Sequence, residues 1–375
     1  MKLMTRRHEI NIRTCRSVLL RPITVLSLMF AITACSPRLR DAGHLELNPV
    51  EILERSPRIY HIKFEEFADS IETARATAYL GGNIREEYVS GSVDDTLAAS
   101  PSGRELAILE YAKAKRRFEV GARGAALEHV RKALEADRTF RPPYILLGKL
   151  LLLQGRLDEA QDLLIRVVSW DVTDSEALLG LAKCYMRRGE LDLAKKALID
   201  AIIFNRVNLE AWNDLHMIGR VQEFTLMDHD LPTFGLVRKV RGRHYDLVID
   251  QSLEDCPTQA TAWIVFASQR AVWRYEGKFK QYTGETRYLP TYEEDVDCYM
   301  ALAAAWEILA ESDSSACDRE YLHHISRVAE DGYLVPHVLF DYVCLEHPFA
   351  ARAFSTEVIG KLRDYVNAYV LVSKG

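Results

Sequence analysis

The 375-residue sequence predicts an all-α protein: a stack of helical hairpins, then a C-terminal helical domain, with a small β-hairpin between them. Three observations carry that prediction. Gly121, Gly155 and Gly189 recur at one constant interval, and Ala126, Ala160 and Ala194 keep the same interval. Beyond residue 258 apolar residues keep helical spacing, first at Val296, Tyr299, Ala303, Trp306 and Leu309, later at Phe354, Val358, Leu362, Tyr365 and Tyr369. Between these regions LVRKVRGRHYDLVID, Leu236 to Asp250, has two β-leaning runs around Arg241-Gly242-Arg243.

Residues 1–22 are basic, and Ile23 to Ala34 (ITVLSLMFAITA) is an unbroken apolar run. It is too short to cross about 30 Å of hydrocarbon, but it fits the apolar region of a secretory signal peptide, here residues 1–34. Ile32-Thr33-Ala34-Cys35 then resembles the lipobox of bacterial lipoproteins. The resemblance implies cleavage before Cys35 and acylation, palmitate included, of its thiol and new amino group. Several acyl chains hold a protein stably on a membrane where one chain is marginal. Ser36 implies, in a Gram-negative cell, an outer-membrane address facing the periplasm.

Residues 35–104 read as a tether and an N-terminal helix. Residues 36–60 hold three prolines and mixed charge. His61 to Leu80 sets Phe67, Ile71, Ala74 and Ala78 on one helical face, and Gly81 to Gly103 reads as a loop.

Residues 105–220 hold the repeat, which also aligns Ala133 with Val167 and Ala201, and Leu147 with Leu181. It resembles the tetratricopeptide repeat (TPR), a helix–turn–helix unit of about 34 residues that stacks into an α-solenoid. Glycine suits the left-handed residue that ends a helix, and alanine lets two helices cross closely. Tyr144, Leu147, Gly148, Gly155, Ala160 and Leu164 match the pattern in the second copy. Leu178, Leu181, Tyr185, Gly189, Ala194 and Leu198 match it in the third. The first copy has Glu110 and Lys113 where large apolar residues are usual. A fourth starts at Trp212 and Leu215 but has Glu223 and Asp228 in the Gly and Ala places, giving about three and a half copies.

In this family the first helices line a concave groove, which implies three columns here. One is Lys115, Lys149 and Lys183, followed by Met217. The others are Tyr111, Ile145 and Leu179, followed by Asn213, and Phe118, Leu152 and Met186, followed by Arg220. A lysine row between apolar rows suits a protein segment with acidic and apolar residues. It equally suits solvated helix faces, where lysine is a good helix former.

Residues 221–257 form a linker holding the hairpin, and residues 258–375 the C-terminal domain. The hairpin's Arg238, Lys239, Arg241, Arg243 and His244 face either anionic lipid or plain solvent. Glu293-Glu294-Asp295 and Asp297 read as a solvated acidic helix start.

No nucleophile elbow, metalloprotease helix, P-loop or dinucleotide fingerprint is present, so no catalytic residue, metal ligand or cofactor is assigned. Cys317, His323, His324, His337, Cys344 and His347 are the richest cluster, but it lacks the second close pair of a zinc site. The seven cysteines make no CxxC, and Cys184, Cys256 and Cys298 read as buried free thiols. The whole chain carries a formal charge of −6, and residues 1–34, with six basic groups and Glu9, carry +5 of it. The body from Cys35 onward is therefore at −11. That balance argues against nucleic acid. The sequence thus reads as a non-enzymatic, membrane-anchored scaffold of the cell envelope, binding a protein partner and assisting assembly of an envelope complex. The competing reading is a hydrolase-type or metal-dependent enzyme with its site in the C-terminal helical domain.

Overall fold

A computed structural model describes residues 10–11, 48–67, 102–227, 233–312, 317 and 320–373. Cys35, the signal segment other than Ile10–Asn11, and most of the loop read over Gly81 to Gly103 lie outside the described residues.

The chain begins with β1 (Ile10–Asn11), α1 (Pro49–Arg55) and β2 (Ile59–Glu65). Seven helices follow: α2 (Gly103–Glu119), α3 (Arg123–Ala136), α4 (Pro142–Leu153), α5 (Leu157–Trp170), α6 (Ser175–Arg188), α7 (Leu191–Phe204) and α8 (Leu209–Gln222). Next come β3 (Phe224–Leu226), β4 (Gly235–Arg241), β5 (His244–Asp250), α9 (Pro257–Tyr275), α10 (Lys278–Thr283) and α11 (Tyr292–Leu309). The chain ends through α12 (Glu320–Glu330), α13 (Leu334–Val338), α14 (Cys344–Glu346), α15 (Thr356–Tyr365) and β6 (Leu371–Ser373). These elements form two compact units, one from residues 1–85 with 230–339, the other from residues 86–229 with 340–375. No helix among the described residues is long and apolar enough to cross a membrane.

In the second unit α2 to α7 stack as successive hairpins. Each hairpin turns at a glycine, Gly121, Gly155 or Gly189, with φ of +76°, +77° and +76°, where a side chain would be strained. Ala126, Ala160 and Ala194 are fully buried where the helices cross. Leu164 of α5, also fully buried, fills the space that Gly148 and Gly180 leave: a Cβ on either would come within 2.8 or 3.0 Å of its methyls. Asp137 and Asp171 close α3 and α5 alike, each accepting on one Oδ1 the N–H and hydroxyl of a threonine two positions on, at 2.6–2.9 Å.

Glu223 stands one repeat interval after Gly189 and keeps the same turn, with φ of +58°, the one positive φ at a non-glycine among the described residues. The first helix and the turn of the fourth copy therefore keep the backbone form of the repeat without a glycine. Glu223→Gly is expected to raise stability by about 1 kcal/mol, read as a higher urea midpoint. Beyond it the chain leaves the pattern, as β3 pairs antiparallel with β6.

Residues from 340 on do not stay with the C-terminal helices, as a single domain over 258–375 would require, but pack on the repeats. α15 lies against α7, where Arg363 reaches Asp200 at 2.5 Å. Arg206, buried just past α7, has its guanidinium 4.6 Å from the Trp212 ring and 4.4 Å from the Phe340 ring. It pairs with buried Asp341 at 3.3 Å, and the Tyr365 hydroxyl donates to the same carboxylate.

The first unit holds a four-stranded sheet in the order β1-β2-β5-β4. β4 and β5 are the hairpin read from sequence, turning at Gly242 with φ of +59°. β2 pairs with β5 in parallel, Ile59 beside His244 through Glu65 beside Asp250. The helix expected over His61 to Leu80 is thus a strand up to Glu65, and residues 68–80 lie outside the described set. Tyr60 and Ile62 point inward by strand alternation. The expected tether likewise contains α1, capped by Asn48, whose side chain accepts from Glu51 N–H at 2.9 Å.

α9 covers β4 and β5, and Trp263, Phe266, Tyr299 and Trp306 fill the interior behind it. The acids at the start of α11 are not solvated: Glu294 and Asp295 are buried against Arg270, at 3.3 and 2.6 Å, and Glu294 also takes Arg274 at 2.9 Å.

Candidate functional site

The first helices of the copies, α2, α4, α6 and α8, carry the candidate groove residues. Lys149 pairs with Glu176, and Lys183 with Glu210 and, at 3.8 Å, Asp214. Each of these glutamates lies 27 residues after its lysine, on the first helix of the next copy. The column is therefore a set of ties between neighbouring copies, each exposed pair adding about 0.2–1 kcal/mol. Lys115 has no such tie, because Pro142 occupies the equivalent place in the next copy, and it is exposed. The recurring glutamate was visible in the sequence as a second spacing.

Leu179 and Leu152 are buried within the array, at 1% and 4% exposure, so they hold helices together rather than face a partner. Ile145 packs on the cluster around Leu152 and Leu164, and Tyr111 and Phe118 lean on Ala114, Val130 and Leu146. The open part of this helix face is Lys115 with the flanks of Tyr111 and Phe118, then Met186, Asn213, Met217 and Arg220.

Glu110, in an apolar place of the repeat, is buried and binds Lys113 at 2.6 Å and His129 of α3 at 2.7 Å. Hydrogen bonds from Lys113 and then His129 hold its carboxyl below the usual range. A depressed folded value means the contribution exists above the unfolded carboxylate range, near pH ~4.3, and is lost as pH falls through the lower folded value. Glu110→Leu is expected to leave stability at pH 7 within about 1 kcal/mol and to flatten the acid limb of a melting-temperature profile.

Cys256, the N-cap of α9, is not a free thiol but is bonded to Cys317, Cα to Cα 6.2 Å. As a disulfide, Cys317 can be neither zinc ligand nor nucleophile. Cys184, Cys298 and Cys344 are buried free thiols, and burial pushes Cys184 up to about 11, Cys344 up to about 12 and Cys298 higher still. Cys344 and His347 belong to the repeat unit, His323, His324 and His337 to the other. Among the described residues no three His, Cys, Asp or Glu gather as a metal site.

The hairpin's Arg238 is held by Glu65 at 2.6 and 2.7 Å and by Asp246 at 3.1 Å, while Lys239, Arg241 and Arg243 are exposed. An open cleft of about 480 Å³ in the repeat unit is lined by Asp192, Lys195, Gln222, Phe224, Asn367 and the β6 strand. Its Asp192 accepts from the Gln222 amide at 2.7 Å, and its lining contains no nucleophile–base pair.

Residues 117–177 match the family model of the tetratricopeptide repeat. A search of curated proteins finds no match. Among solved structures, the chain is similar to the first TPR of Spaghetti (RPAP3) bound to an HSP90 peptide, with 18% identity over 33% of this chain and 98% of that one, at a TM-score of 0.30. It is also similar to MamA protein, with 14% identity over 64% of this chain and 96% of that one, at a TM-score of 0.28.

Proposed function

Because this chain carries tetratricopeptide repeats, we propose that it is a scaffold holding a segment of another protein, anchored to a membrane through Cys35 and working in the cell envelope. The observation that carries the proposal is the open strip on the first helices, cationic at Lys115 and Arg220 and apolar at Tyr111, Phe118, Met186 and Met217. An extended or helical segment with acidic and apolar residues fits it, carboxylates on the cations and apolar groups between them.

The lipobox supports the anchor, and in a Gram-negative cell Ser36 favours the outer membrane facing the periplasm. The Cys256–Cys317 disulfide supports an oxidising compartment, since such bonds persist outside the reducing cytosol. A lipid-held scaffold with one peptide-binding strip suits assistance in building an envelope complex.

The test is photo-crosslinking from the strip in intact membranes, comparing wild type with Lys115→Glu/Met217→Glu. Both positions are exposed, so folding should be untouched while partner recovery falls by about tenfold. Equal recovery rejects the strip. Intact mass of the membrane-extracted protein tests the anchor, and an unacylated terminus rejects it.

A further inference from the structure

The two flanks of the β2-β5-β4 part of the sheet differ in kind. β4 is blunted by the irregularity between Lys239 and Arg241 and by its exposed Arg238, Lys239 and Arg241. β2, IYHIKFE, has no bulge and no proline. Ile59 N–H donates to the Arg243 carbonyl on the β5 side at 2.8 Å. Backbone groups alternate sides along a strand, so Tyr60, Ile62 and Phe64 aim their N–H and C=O at the outer edge. Among the described residues only β1 pairs there, with Ile10 opposite Ile62 and Asn11 opposite His61. β1 belongs to the leader that cleavage before Cys35 removes, so its departure, and with it a bare β2 edge, rests on the lipoprotein reading.

We propose that in the processed protein the β2 edge pairs antiparallel with the β2 edge of a second copy, centred on Ile62. That register sets Ile62 against Ile62 of the second copy and Tyr60 against Phe64, all at positions whose backbone groups face outward. Every outward N–H then meets a carbonyl. Aromatic pairs fall on the covered face, and cross-strand aromatic pairs stabilise sheets. On the other face Lys63 meets His61 and Ile59 meets Glu65, so no lysine faces a lysine and no carboxylate faces a carboxylate. β1 already puts an isoleucine where Ile62 of the second copy would stand.

The test is light scattering on processed protein extracted from membranes, its terminus verified by mass, beside the full-length Cys35→Ser chain. A dimer is expected for the processed protein at concentrations on the order of 100 µM, with clearly weaker association when the leader is retained. His61→Lys sets lysine against Lys63 twice and should raise the dissociation constant about tenfold. Ile62→Pro removes both central donors and should give a monomer. A processed protein that stays monomeric, or a dimer unchanged by both variants, overturns the pairing. Should the mass show residues 1–34 retained, the lipoprotein reading fails, and the same measurement on a chain begun at Ser36 still decides the pairing.

Discussion

Leu164→Ala is expected to destabilise the repeat unit by about 3–5 kcal/mol. The side chain is fully buried, and its methyls fill the hollow formed by Gly148 of α4 and Gly180 of α6. It therefore joins two copies at once. Truncation loses the transfer energy of the removed carbons and leaves a cavity, and two glycines have no side chain with which to fill it. Around it Leu151, Leu163 and Val167 are also buried, so relaxation requires whole helices to shift. Urea denaturation followed by far-ultraviolet circular dichroism checks this. A loss below about 1 kcal/mol would mean the copies do not depend on this contact.

Asp341→Ala should cost a similar amount, about 3–5 kcal/mol, because it takes the carboxylate from a buried arginine. Arg206 and Asp341 are 7% and 5% exposed. The guanidinium is already stacked between Trp212 and Phe340, which favours the cation but does not neutralise it. Tyr365 donates to the same carboxylate, and burial, then that negative charge, pushes its own ionisation up. Arg206→Met with Asp341→Leu should cost less than Asp341→Ala alone, since removing both charges removes the buried-charge penalty. A double variant worse than the single would show that the pair contributes more than it costs. The single variant should also free α15 from α7, seen as faster amide exchange across Thr356 to Tyr365.

The repeat was legible because it is local. A glycine at each left-handed turn and an alanine at each crossing are demanded by backbone geometry, so they recur in the letters. The hairpin was legible for the same reason, with Gly242 between two β-leaning runs. What could not be read is what depends on distant partners. Nothing near Ile59 to Glu65 announces β5, and nothing near Cys256 announces Cys317, 61 residues away. The groove columns were readable as spacing but not as burial. Leu152 and Leu179 keep the period of a groove residue, yet the packing of the next helix decides that they face inward. The acids of α11 misled similarly, since their partners Arg270 and Arg274 lie on another helix.

The pairing of β2 with β5 also sets a timetable. His61 of β2 touches His244 of β5, which comes 183 residues later in the chain. At roughly 5–20 residues per second, β2 is made about ten to forty seconds before β5. All of α2 to α8 are translated in that interval, and their hairpins need only nearby sequence to form, so they fold first. Each newborn chain thus spends that time with its repeat hairpins complete in sequence, while Asp341 and β6, which pack on them, and β5, which pairs with Ile59 to Glu65, are still unmade.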